Sequence, residues 1–155
     1  MNKDAGQEAS TNGFWPLDRS TYTIRRRISF PSTLQSISAA VTVIVGVARR
    51  CGCSSDQEAD LEIALREALA NAVIHGNAKD ESKGVFVRCY GGRDKTLILV
   101  RDEGAGFEPD EIPDPRGTDR VQLDHGRGLF LMRELMDQVE HRRRGCEVLL
   151  FKHWS

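Results

Sequence analysis

Three short stretches of this sequence carry residue types that can do chemistry, at spacings that would bring them together. In the first, DLEIALREALANAVIHGN, Glu67, Asn71 and His75 recur at intervals of four. On a helix such positions form one slowly drifting row. A carboxylate, an amide and an imidazole would thus share a face of a segment otherwise rich in Ala, Leu, Ile and Val. In the second stretch an apolar run ends in DEGAGF, which sets Asp102, Gly104, Gly106 and Phe107 directly after a strand. In the third, Gly126, Arg127 and Gly128 stand where a helix is predicted to start, with Leu129 its first apolar residue.

Each stretch has a mechanical reading. A carboxylate just past a buried strand can accept a hydrogen bond from a purine amino group. Such a site discriminates strongly, because a base without that group leaves a buried acceptor unpaired. Gly104 and Gly106 let the backbone turn sharply and approach a ligand closely. Gly126 and Gly128 at a helix N-terminus would offer free N–H groups and the positive end of the helix dipole to a phosphate. The Asn71 side-chain oxygen can ligate Mg2+, an ion that keeps several waters and takes phosphate oxygens for the rest. Glu67, one turn earlier, could accept the proton of an attacking hydroxyl. Taken singly, each also has an ordinary reading: a solvated stripe, a strand-to-turn sequence, a loop before a helix. Two better-known phosphate motifs are excluded. Neither glycine cluster completes G-x-G-x-x-G, and G-x-x-x-x-G-K-[ST] does not occur.

The elements that must position these residues follow from periodicity. TYTIRRRIS (Thr21 to Ser29) alternates in part and reads as a strand near a sheet edge, given its three arginines. A helix is predicted from Ser32, with Leu34, Ile37, Val41, Ile44, Val45 and Ala48 at helical spacing and Gly52 as its stop. Ser54 or Ser55 caps the next helix, which carries the Glu67 row and ends near Gly76. VFVRCY and TLILVR, joined at Gly91-Gly92-Arg93-Asp94, form a hairpin. The near-continuous apolar run of the second strand puts it inside the sheet and covered. A Pro-, Asp- and Gly-rich stretch then leads to Gly126, where the last helix is predicted to begin. Val139 to Arg144 and Glu147 to Trp154 read as a closing hairpin turning at Gly145. The order β, α, α, β, β, loop, α, β, β points to an α+β two-layer sandwich.

Bulk properties narrow the class. At 155 residues the chain fits one domain, residues 21–155, behind a polar N-terminal arm over residues 1–20 that is expected to be flexible. Hydrophobic content of 39%, charged content of 29% and a net charge of −1 give no general attraction to nucleic acid or to a membrane surface. The N-terminus has no secretory h-region and no run approaches a membrane span, so a cytoplasmic location is expected. Of the four cysteines only Cys51 and Cys53 are close, which makes reduced thiols the expectation over a zinc site.

Together the three stretches resemble the GHKL ATPase superfamily, whose Bergerat fold is shared by gyrase, histidine kinases and MutL. EALANAVIHGN resembles its Asn box, DEGAGF its first glycine box and HGRGLFLM its second. Within it the chain is most similar to the small anti-sigma-factor serine/threonine kinases. That resemblance implies a mixed, mainly antiparallel sheet covered by three main helices. It implies ATP and Mg2+ as ligands, Glu67 as general base and Asn71 as the metal ligand. Asp102 would bind the adenine amino group, with Gly104, Gly106 and Phe107 shaping that pocket. Residues 108–125 would form an ATP lid, and Gly126, Arg127, Gly128 and Leu129 would meet the phosphates. His75 stands where this branch commonly carries a histidine, and a structural hydrogen bond is its preferred reading. The chain has no room for a phosphoacceptor hairpin or a transducer domain, so it is expected to act on other proteins. Implied partners are a sigma factor and an anti-anti-sigma antagonist, with a homodimer possible. The alternative is a nucleotide-gated binding module with little or no kinase activity.

Overall fold

The computed structural model describes residues 19–106 and 120–155. Phe107, residues 108–119 of the expected lid and most of the expected arm lie outside them, and residues 120–125 of that expected lid are helical. The chain enters through a short 3-10 turn, Arg19–Thr21, into strand β1 (Tyr22–Pro31). Helices α1 (Ile37–Arg50) and α2 (Ser55–Asn71) follow, then the hairpin β2 (Gly84–Gly92) and β3 (Lys95–Arg101). Helix α3 (Arg120–Leu135) and a second hairpin, β4 (Gln138–Arg142) and β5 (Glu147–His153), complete the fold.

Among the described residues five strands stand in the order β1-β2-β3-β5-β4, so β1 is at the edge and β3 is central, as their sequences predict. All four pairings are antiparallel, where a mixed, mainly antiparallel sheet was expected. The reason is the insertion of β5 between β3 and β4. The crossover through α3 makes β4 run the same way as β3, but the two never touch, because the closing hairpin folds its second strand into the gap.

Strand period and helix period explain the layers. Val85, Val87 and Cys89 on β2, Ile98 and Val100 on β3, and Val148 and Leu150 on β5 point to the helices. They meet Val41, Ile44 and Ala48 of α1, Leu61, Leu65 and Leu69 of α2, and Met132 of α3. The alternate residues Leu97, Leu99, Leu149 and Phe151, with Tyr22, form a second buried cluster on the opposite face. Burial on both sides is what the unbroken apolar run of β3 requires.

Three predicted helix boundaries move. The first α-helix begins at Ile37 rather than Ser32, behind a 3-10 turn over Leu34–Ser36. Ser32 is drawn away from the helix by its N–H and Oγ bonds to the Lys83 carbonyl, at 3.2 and 3.0 Å. Ser54 caps α2 in a reciprocal box with Gln57, but the α-helix stops at Asn71 and widens into a π-turn over Ala72–Gly76. The last helix starts at Arg120 instead of at the Gly126-Arg127-Gly128 segment. RVQLDH contains neither Gly nor Pro, and extending an existing helix is far easier than nucleating one. Those glycines therefore lie inside α3, and its N-terminus lies six residues upstream of Gly126.

Candidate functional site

The end expected to bind a base is built where β3 leaves the sheet. Asp102, one residue past the strand, donates its N–H to the Cys146 carbonyl at 2.9 Å and so stays tied to the start of β5. Its Oδ1 accepts from the Gly104 N–H at 2.8 Å. The side chain is buried. Burial pushes its carboxyl above the ordinary carboxylate range, opposed by the Gly104 N–H, the Cys146 thiol and the charge of Lys83. A carboxylate so placed is under-solvated and has acceptor capacity beyond the bond to Gly104.

The backbone around it is packed to contact. A Cβ on Gly104 would fall 1.9 Å from the Gly76 carbonyl oxygen, and one on Gly76 would fall 2.2 Å from Asp102 Oδ2. Only glycines fit at this crossing of the two turns. Gly106 adopts φ +83° and lies against the Arg144 backbone. That region belongs to a tight turn, where Arg143, Arg144 and Gly145 all have positive φ (50°, 57° and 87°). The Cys146 thiol bonds the Gly104 carbonyl at 3.3 Å, and burial pushes that thiol's pKa up.

The end expected to meet the phosphates lies on α2. Glu67 and Asn71 are both half-buried and share one face, as their spacing predicts. A Cβ on Gly128 would lie 2.7 Å from Glu67 Oε2, 3.3 Å from Asn71 Nδ2 and 3.6 Å from Asn71 Oδ1. Helix α3 thus packs its Gly128 turn directly over the two polar side chains, and Leu129 beside it is buried in the core. Arg127 is exposed. Among the described residues no three His, Cys, Asp or Glu side chains converge as a metal cage. The amide of Asn71 with the carboxylate of Glu67 suits an ion that relies on water and phosphate oxygens.

One pocket joins the two ends. Its walls include Asn71, Asp102, Ala68, Ala72, Val100, Met132, His141 and Cys146. An apolar slot with a few convergent polar groups is the usual form of a small-molecule site. Asn71 and Asp102, thirty-one positions apart in sequence, therefore line one cavity, with Glu67 one turn from Asn71. His75 does not join them. It is exposed in the π-turn, whose larger number of residues per turn breaks the row of four, and it is absent from the pocket wall. Sequence reasoning missed Gly76, Asn77 and Cys146. The first two follow His75 directly, where a glycine and an amide at a helix end look like an ordinary stop.

Comparison with known proteins gives the family and the fold. Residues 30–152 match the family described as histidine kinase-like ATPase domain. A serine-protein kinase RsbW of Bacillus subtilis is 32% identical over 130 residues, covering 79% of this chain and 81% of that protein. A serine-protein kinase RsbW of Bacillus velezensis is 35% identical over 134 residues, covering 81% and 83%. An anti-sigma F factor of Clostridium perfringens is 34% identical over 98 residues, covering 60% and 70%. The RsbU and RsbW domains of a Mycobacterium tuberculosis protein share the fold, at a TM-score of 0.55 and 18% identity, over 84% of this chain and 32% of that one.

Proposed function

The chain belongs to the histidine kinase-like ATPase domain family, and on that premise we propose that it is an ATP-dependent serine/threonine protein kinase acting as an anti-sigma factor. The observation that carries this reading is the pocket walled by Asn71 and the buried Asp102, with Glu67 beside Asn71. Asp102 accepts from the adenine amino group, and Ala72, Val100 and Met132 pack on the ring. Asn71 would hold Mg2+, which would supply neutralisation of phosphate charge. Gly126, Arg127 and Gly128 meet the phosphates after the first turns of α3 unwind. Two glycines in three residues make that unwinding easy, each weakening the helix by about 1 kcal/mol relative to alanine.

In the transfer step a Ser or Thr hydroxyl oxygen of the partner bonds to the γ-phosphorus. The bond from that phosphorus to the β-phosphate oxygen breaks, and ADP leaves. Glu67 receives the hydroxyl proton. Positioning and charge stabilisation supply most of the acceleration in such reactions. A sigma factor is the protein held, an anti-anti-sigma antagonist is the phosphoacceptor, and the work is cytoplasmic. Among the described residues no helix is long and apolar enough to cross a membrane.

Incubation with radiolabelled ATP and a panel of small antagonist domains tests the assignment. Label on a serine or threonine of one of them is expected. ATP-dependent capture of a sigma factor with no label on any antagonist would favour the nucleotide-gated binding module instead. One observation favours that second reading: Glu67 lies under α3 at Gly128, so opening the phosphate end must reshape a helix.

A further inference from the structure

Asn77 is a buried polar side chain with three hydrogen bonds, and the mechanism above does not use it. It has no exposed surface. Its Nδ2 donates to Ser32 Oγ at 2.6 Å and to the Gly84 carbonyl at 2.9 Å. Its Oδ1 accepts from the Glu103 N–H at 2.8 Å. Three chain segments thus converge on one amide: the end of β1, the start of β2 and the segment leaving β3. Its own N–H closes the π-turn on the Ala72 carbonyl at 2.8 Å. The next two residues, Ala78 and Lys79, have φ of 51° and 59°, a left-handed pair that only a well-anchored turn sustains.

We propose that Asn77 is a positioning residue for base selectivity: by fixing the Glu103 amide it sets where the Asp102 carboxylate points. Asp102 sits between two backbone anchors. On one side its own N–H bonds the Cys146 carbonyl, and on the other Glu103 N–H bonds Asn77. Glu103 is held a second time, through Oε1 accepting from Gly84 N–H at 3.3 Å. With both flanking peptides pinned, Gly104 wedged against Gly76 and its N–H bonded to Oδ1, the carboxylate is held against swinging to follow a base with a different edge. Selectivity by a buried acceptor depends on that refusal to adapt.

The inference rests on Asp102 accepting from the adenine amino group, so its test separates the two. Affinities for ATP and for inosine triphosphate, which carries a 6-oxo group in place of the 6-amino group, are measured for the wild type and for Asn77→Ala and Asn77→Asp. In the wild type a preference for ATP is expected; its absence would sink the reading of Asp102 itself. Given that preference, Asn77→Ala is expected to lower the ATP-to-inosine triphosphate ratio at least about tenfold, through weaker ATP binding. Asn77→Asp keeps an oxygen for the Glu103 N–H and is expected to retain the ratio while losing thermal stability. A ratio unchanged in Asn77→Ala would show Asn77 to be structural glue and overturn the proposal, as would a ratio lost in folded Asn77→Asp. Should neither variant fold, amide exchange in the wild-type chain decides. ATP is expected to protect the Glu103 N–H more than inosine triphosphate at equal saturation, and equal protection contradicts the proposal.

Discussion

The two ends of the pocket are built by different means. At the base end, Asp102 and its neighbours are held by backbone contacts from three segments, and glycines are packed until no Cβ fits. At the phosphate end, Glu67 and Asn71 project from one helix, and what faces them is a turn of α3 that contains two glycines. A base is recognised by a surface that does not yield, whereas phosphoryl transfer needs groups that assemble around each nucleotide and are then released. On the proposed function, the contrast assigns selectivity to the base end and turnover to the phosphate end.

The sharpest way to separate the ends is at Glu67. Glu67→Gln removes the proton acceptor and keeps the shape, so phosphotransfer is expected to fall by roughly 10²–10⁴-fold while ATP affinity changes little. Steady-state labelling beside calorimetric titration reads both. Equal labelling by the variant would remove Glu67 from the base role.

Glycine substitutions sharpen the contrast further. Gly104→Ala puts a methyl group 1.9 Å from a backbone oxygen that cannot step aside. A loss of about 3 kcal/mol is expected, a fall in melting temperature of roughly 10 °C, together with loss of ATP binding. Gly128→Ala meets the tip of the Glu67 side chain, which can move. Alanine is also the better helix former, by about 1 kcal/mol. Thermal stability is therefore expected to hold or rise slightly, while displacement of Glu67 slows phosphotransfer about tenfold. Similar destabilisation by both substitutions would erase the distinction between the ends.

The smallest effect is in the pH dependence of stability. Burial raises the Asp102 pKa in the folded state. Between the ordinary carboxylate value and the raised one, the folded protein binds more protons than the unfolded chain. Stability attached to this group is thus full below that window and is lost as pH rises through it. Asp102→Asn is expected to flatten that part of a denaturation-against-pH profile, and an unaltered profile would show the carboxylate to be well solvated.

Much of this was legible in the residues, for reasons that also explain what was not. Spacings of four put Glu67 and Asn71 on one face because α-helical geometry holds through Asn71. The same rule failed one turn later at His75, because Asn77 draws the chain into a π-turn through bonds to residues 45 positions before it and 26 after it. No local pattern encodes those partners. An apolar run told that β3 is central, and turn composition told where both hairpins bend. The backward extension of α3 to Arg120 is hidden by its glycines, which mark a weak point in a helix and resemble its start. Gly76 was invisible because its reason for being glycine is Asp102, 26 positions away.

The central claim is that Asp102 reads the adenine amino group, and titration of the wild type and Asp102→Asn with ATP and Mg2+, beside a thermal melt of each, tests it most directly. Because the Gly104 N–H engages Oδ1, an asparagine there would turn its oxygen to that amide and present its NH2 to the base, a donor facing a donor. Roughly 100-fold weaker ATP binding in the variant is expected, with a melting temperature no lower than that of the wild type. Equal ATP affinity in the two proteins would contradict the account.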